Sequence, residues 1–262
     1  MREKEMSRFW RSLDLKRLSI PEDIRLKKDC IIIKEGVKVI DEANVFYREA
    51  LPVNDSPPSV ISVLLLHGQM FSSKTWFDLG TLHILPAMGY RTIAVDLPGY
   101  ANSPAVKISN RASFLHSIIQ NFELQYPVII SPSMSGYFSL PYLLQNWKGV
   151  AGYVPVAPVG IEVLEELPPH QDPSVKNEVY EPLREFLYDP VPDLSHIQTP
   201  TMVVFGEKDR SRSSALLNLL PMSQCQEIPN GRHPAYLDNP NLWHQLLYNF
   251  LESLSHTYSL EM

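Results

Sequence analysis

Ser131-Pro132-Ser133-Met134-Ser135-Gly136 is the stretch whose reading decides the fold. A short apolar run, Pro127-Val128-Ile129-Ile130-Ser131, leads into it, and a helical pattern from Met134 to Leu144 follows at once. A serine on a sharp strand-to-helix turn has its hydroxyl raised above the sheet, where it can attack a substrate. The turn forces its neighbours together, so they must be small. The familiar arrangement is G-x-S-x-G. Here serine replaces both flanking glycines, giving S-x-S-x-S, and Gly136 still lets the helix approach the strand. Ser133 is the candidate nucleophile, while Ser131 and Ser135 read as structural. Taken alone, a serine-rich turn capping a helix would explain the stretch as well.

The sequence around the turn argues for an α/β fold. Ile31 to Ile40 and Val45 to Ala50, separated by Asp-Glu-Ala-Asn, read as an opening antiparallel hairpin. Val60 to Leu66, Arg91 to Asp96, Val150 to Val156, Thr201 to Phe205 and Gln224 to Ile228 read as further strands. Between and after them, Trp76 to Met88, the Phe114-Ile118-Phe122 face and Leu242 to Leu254 have helical spacing. Pro141 is expected to kink or shorten the helix after the serine turn. Strands alternating with helices predict a mostly parallel central sheet covered on both faces. One segment breaks the rhythm: Ile161 to Pro192 has acidic, proline-rich and helical parts where a single helix is expected. It reads as a short helical cap or lid over the sheet.

A serine nucleophile needs a base and an acid, and in this chain order they follow it at the ends of later strands. The strand Thr201 to Phe205 delivers Gly206-Glu207-Lys208-Asp209, and Gln224 to Ile228 delivers Pro229-Asn230-Gly231-Arg232-His233. Asp209 is the candidate acid and His233 the candidate base. Glu207 is the rival acid, read instead as a solvated turn pair with Lys208. Developing oxyanion charge needs donors aimed at it. Gly68, in His67-Gly68-Gln69, permits a turn that faces the Gln69 amide toward the serine, and the Met134 amide is the second candidate donor. Phe71, Tyr137 and Tyr236 are candidate pocket residues, though core packing explains them equally well. His67 reads as a turn residue. His83, His116 and His244 read as surface or core side chains, and His170 and His196 lie in or beside the cap.

Composition narrows the alternatives. The chain has 262 residues, 44% hydrophobic and 20% charged, with 23 basic and 29 acidic side chains and a formal net charge of −6. That balance carries no basic footprint for nucleic acid. No stretch approaches the ~18 consecutive apolar residues of a membrane span. Two cysteines, Cys30 and Cys225, make no disulfide framework and read as reduced, partly buried thiols. With no signal-peptide pattern, the expected location is cytoplasmic, with the nucleus reached by diffusion. Met6, Phe9, Trp10 and Leu13 at helical spacing among basic residues read as an amphipathic helix that docks on the protein itself or is only partly ordered. A basic helix of this kind can also lie on a membrane or target a mitochondrion, although Glu3, Glu5 and Asp14 argue against a transit peptide. Residues 1–30 thus read as an N-terminal extension, and residues 31–262 as one domain carrying the cap at about 161–192.

From about Val45 to Leu254 the chain resembles the α/β-hydrolase superfamily. Within it, the chain resembles the α/β-hydrolase domain-containing protein 14 group. The resemblance is carried by Phe46 to Pro52, Val63 to Gly68, Phe71-Ser72-Ser73 with Thr75-Trp76, Leu79 to His83, Val95 to Gly99, Val128 to Ser133, Ser139 to Pro141, Tyr153 to Pro158, and His233-Pro234 with Tyr236 to Asp238. The S-x-S-x-S elbow is itself a mark of that group. The resemblance implies an α/β-hydrolase fold, a triad of Ser133, Asp209 and His233, and hydrolysis of small acyl esters. It implies no bound cofactor or metal, and suggests a thiol such as coenzyme A (CoA) as an acyl acceptor, for which the sequence shows no phosphate-binding signature. The segment Ile161 to Pro192 is longer than the connection expected in the group. Ala101 stands where related folds often carry glycine. One branch of the group begins with a membrane anchor, and this chain shows none.

The sequence reading is therefore a serine esterase or acyltransferase with a small-molecule acyl substrate. The alternative is the same fold serving as a ligand- or protein-binding module with little turnover. Dehalogenase and epoxide hydrolase chemistry on this fold needs an aspartate at the elbow, where Ser133 stands. A dinucleotide-dependent oxidoreductase is disfavoured because no G-x-G-x-x-G follows the first strand of the alternating sheet.

Overall fold

The computed structural model describes residues 3–53, 59–157, 194–209 and 220–261. The expected cap at 161–192 lies outside the described residues. The described strands form one sheet of eight, in the order β1-β2-β4-β3-β5-β6-β7-β8. They are β1 (Ile33–Ile40), β2 (Ala43–Ala50), β3 (Val63–Leu65), β4 (Thr92–Val95), β5 (Val128–Pro132), β6 (Gly152–Val156), β7 (Thr201–Gly206) and β8 (Ser223–Ile228). β1 pairs antiparallel with β2, and β2 with β4. Every other pairing is parallel.

The hairpin at one edge is tighter than the sequence suggested. Ile40 pairs with Ala43, so the loop is only Asp41-Glu42. Both residues have positive φ, 47° and 69°. That is the mark of a type I′ turn, whose twist matches that of the strands it joins.

The buried strands sort their side chains by alternation. Leu64 of β3, Ile129 of β5, and Val203 and Phe205 of β7 face one apolar cluster. α5 (Arg111–Asn121) and α6 (Gly136–Asn146) cover it with Phe114, Leu115, Ile118, Phe138 and Leu143. Val63 and Leu65, Val128 and Ile130, and Met202 and Val204 face the second cluster. There α4 (Thr81–Ala87) supplies Leu82 and Leu85, and α8 (Pro240–Glu261) supplies Trp243, Leu246, Leu247 and Phe250. Both faces of the central strands are therefore dry, which accounts for their near-continuous apolar sequence.

Four expectations need correction. The helix expected over Trp76 to Met88 is two helices, α3 (Ser73–Asp78) and α4, because Gly80 adopts φ 84° between them. The helix expected to start at Met134 opens as a 3₁₀ turn over Ser133–Ser135 before α6. Pro141 does not shorten α6, which runs past the expected Leu144 to Asn146. The cysteines are free, and Cys30 is exposed rather than partly buried.

The amphipathic N-terminal segment forms α1 (Glu3–Ser12), followed by α2 (Glu22–Lys27). Trp10 is buried in the second cluster and meets Phe250 edge-on at 5.8 Å. Ser7 Oγ donates to the Pro221 carbonyl, and Gln224 Nε2 donates to the Trp10 carbonyl at 2.7 Å. The helix docks on the sheet through its apolar stripe.

Candidate active site

The order of the sheet places the site. β3 has β4 on one side and β5 on the other, so the chain leaves it in opposite directions, and a crevice opens at the carboxyl ends of these strands. His67-Gly68 leaves β3 there, and Ser133 leaves β5. β7 ends in a short 3₁₀ turn, Glu207–Asp209, and the loop after β8 carries His233.

Ser133 sits at φ 45°, a left-handed conformation that side chains disfavour. Strain of this kind persists only where the surroundings over-determine it, and it concentrates at functional sites. His233 bridges the other two candidates. Its Nδ1 lies 2.6 Å from Asp209 Oδ2, and its Nε2 lies 2.9 Å from Ser133 Oγ. With a carboxylate at Nδ1, the neutral ring carries its proton there, and Nε2 accepts from the serine hydroxyl. The Asp209 side chain is 14% exposed and that of His233 44% exposed.

The loops that carry Asp209 and His233 are joined by a backbone hydrogen bond. Lys208 N donates to the Gly231 carbonyl at 3.0 Å. Glu207, expected to pair with Lys208, instead accepts from the Asn230 amide at 2.8 Å. A Cβ on Gly206 would lie 2.3 Å from the Arg232 carbonyl oxygen, so only glycine fits where the loops cross. Arg232 in turn is clamped by Asp238 of α7 (Ala235–Asp238), with contacts from 2.6 Å. That hydrogen-bonded contact holds the Asp238 carboxyl below its usual range.

The loop that carries the candidate donor Gln69 is also tied down. His67 is fully buried, and its Nε2 accepts from the Leu97 amide at 2.9 Å. Its Nδ1 must then carry the proton, which it donates to the Gly68 carbonyl at 2.9 Å. Burial lowers the pKa of this ring, in keeping with a neutral tautomer. The Gly68 carbonyl also accepts from Phe71 N at 3.0 Å. The peptide that presents the Gln69 amide is thus held by its carbonyl from two sides. His67, expected only as a turn residue, makes a tie that depends on Leu97 beyond the neighbouring strand end, which only the fold brings near.

A cavity of ≈ 150 Å³ opens beside Ser133 and His233, lined among others by Gln69, Met70, Phe71, Val156 and Tyr236. Phe71 and Tyr236, expected there, meet edge-on at 6.2 Å. Tyr236 also packs on Trp76, with ring centroids 4.8 Å apart, and burial raises its phenol pKa. Tyr137 is not in that lining; it lies half-buried against the cluster under α5 and α6. Met134 buries its side chain in the same cluster, while its amide follows Ser133 in the turn. Val156, Met70 and Pro234 line the cavity without having been singled out in the sequence. Their positions depend on where β6 and the His233 loop end.

The comparisons agree with this architecture. ABHD14B of Rattus norvegicus, whose name proposes protein-lysine deacylase activity, is 36% identical over 231 residues, covering 85% of this chain and 98% of that protein. The chain belongs to the ABHD14 group of α/β-hydrolases. ABHD14A of Danio rerio, of the same group, is 36% identical over 220 residues, 80% of this chain and 72% of that protein. Among solved structures, a CIB-like hydrolase of Thermoplasma acidophilum superposes with a TM-score of 0.67 at 21% identity, over 85% of this chain and 99% of that one. No family model matches the chain. ABHD14 membership supports a hydrolase. Among the described residues, no helix is long and apolar enough to cross a membrane.

Proposed function

We propose that this protein is a serine hydrolase that removes short acyl groups through a covalent ester on Ser133. The observation that carries the reading is the bridging imidazole of His233, within hydrogen-bond reach of both Asp209 and Ser133. Ser133 Oγ attacks the acyl carbonyl as its proton passes to His233 Nε2. Asp209 holds the ring in its tautomer and stabilises the imidazolium. The amides of Gln69 and Met134 receive the oxyanion, one such donor being worth ~3 kcal/mol. The leaving group departs with the proton from His233, giving the acyl-serine. A second nucleophile then gives up its proton to His233, attacks the ester and frees Ser133. Water makes the reaction a hydrolysis, and a thiol such as that of CoA makes it an acyl transfer.

The small, largely apolar cavity favours a short acyl chain. The name of the rat relative adds acylated lysine to the candidate substrates. A fluorophosphonate probe tests the reading. Wild type and a Ser113→Ala control should be labelled covalently, and Ser133→Ala should not. A folded wild type left unlabelled would overturn the hydrolase reading in favour of a binding module.

A further inference from the structure

The two serines flanking Ser133 belong to a buried chain of four hydroxyls. Ser135 Oγ donates to the Pro132 carbonyl at 2.8 Å. Ser131 and Ser135 lie 2.9 Å apart, Ser131 and Ser139 2.7 Å, and Ser139 and the Tyr153 phenol 2.9 Å. All three serines and Tyr153 are at most 1% exposed.

The direction of the chain follows by elimination. A carbonyl only accepts, so the single Ser135 proton is committed to Pro132. Ser131 must then donate to Ser135, Ser139 to Ser131, and Tyr153 to Ser139. Every hydroxyl donates once and accepts at most once. The phenol at the head must keep its proton, and burial raises its pKa to about 12.

The chain ties three elements to one peptide. Ser131 is the penultimate residue of β5, Ser135 closes the turn after it, Ser139 lies in α6, and Tyr153 comes from the neighbouring strand β6. The shared endpoint is the carbonyl of the residue before the nucleophile. Rotation of that peptide plane changes ψ of Pro132 and, with it, φ of Ser133, the strained torsion of the elbow. Simple packing does not call for these groups, since the surrounding cluster is otherwise apolar and buried hydroxyls gain nothing there unless paired.

We propose that Ser131, Ser135, Ser139 and Tyr153 are positioning residues, a one-way hydroxyl ladder that holds the Pro132–Ser133 peptide and so aims the Ser133 side chain. The serines of the S-x-S-x-S elbow thus do by hydrogen bonding what close backbone contact does when glycines flank the turn. The aiming role rests on Ser133 being the nucleophile, whereas the holding of the peptide does not.

Two measurements on the full-length protein separate these claims. Tyr153→Phe deletes the first donor, Ser139→Ala cuts the ladder in the middle, and Ser139→Thr restores the hydroxyl. Amide hydrogen exchange in the peptide spanning 133–136 should quicken by roughly tenfold in the first two variants and return toward wild type in the third, with β3 unchanged. Unchanged exchange at the elbow overturns the ladder, whether or not any protein reacts with a probe. The limiting rate of fluorophosphonate labelling should fall by roughly tenfold in the same two variants, with probe binding unchanged. Faster exchange with undiminished labelling reduces the ladder to a stabilising element and overturns its aiming role. An unlabelled wild type overturns the proposed hydrolysis and, with it, the aiming role, while exchange still decides whether the ladder holds the peptide.

Discussion

At the scale of single residues, Gly206 shows how little room the site leaves. The backbone of the His233 loop occupies the space its Cβ would fill, with contacts of 2.3 and 2.4 Å. Gly206→Ala must push the loops of Asp209 and His233 apart. Overpacking of this kind costs roughly 1–3 kcal/mol, and under the proposed mechanism a misplaced His233 slows chemistry by up to ~10²-fold. Thermal unfolding and labelling kinetics should therefore both register Gly206→Ala, and an unchanged labelling rate would show that the loops tolerate separation. The sequence pointed to Ser133, Asp209 and His233 because turn chemistry and strand order are local signals. It did not reveal that Glu207 holds Asn230, or that His67 holds Gly68 in place through Leu97. Such ties join residues that only the fold brings together. Ala101 adopts φ 46°, which explains why related folds often place glycine there.

At the scale of elements, strands were more legible than helix boundaries. The central strands bury both faces and so read as unbroken apolar runs, whereas Trp76, Leu79, Leu82 and Leu85 keep one helical rhythm across a break. The break lies in the left-handed turn at Gly80, which periodicity does not register. The β1–β2 turn offers a test of local chemistry. Glu42 stands at φ 69°, where a side chain costs roughly 1–2 kcal/mol that glycine avoids. Part of that gain is offset by the greater freedom of glycine in the unfolded chain. Glu42→Gly should stabilise the protein by about 1 kcal/mol and raise Tm by roughly 2–4 °C. A lower Tm in calorimetry would mean that the side chain makes a contact outweighing the strain.

At the scale of the whole molecule, buried histidines set a lower limit on working pH. Burial depresses the pKa of His67, and in His244 it brings the value to about 4. His244 Nε2 meets the Thr81 hydroxyl at 3.0 Å. An unfolded histidine titrates near 6.5, so below that pH the unfolded chain binds protons that the folded one refuses. Stability is therefore full above about pH 6.5 and falls as the pH drops toward 4, at up to about 1.4 kcal/mol per pH unit for each group. Urea unfolding across that range should show the slope, and His244→Gln should flatten it. An equal slope in the variant would assign the acid sensitivity to other groups.

The contact between Trp10 and Phe250 also bears on how the protein is made. Residues 10 and 250 are synthesised far apart in time, so α1 waits on the ribosome with its apolar stripe uncovered. Its seat on α8 emerges only about 240 residues later, 250 − 10. Closing so long a loop is slow, and a nascent chain in that interval offers exposed hydrophobic surface to chaperones. Docking of α1 on this seat therefore cannot precede the synthesis of α8.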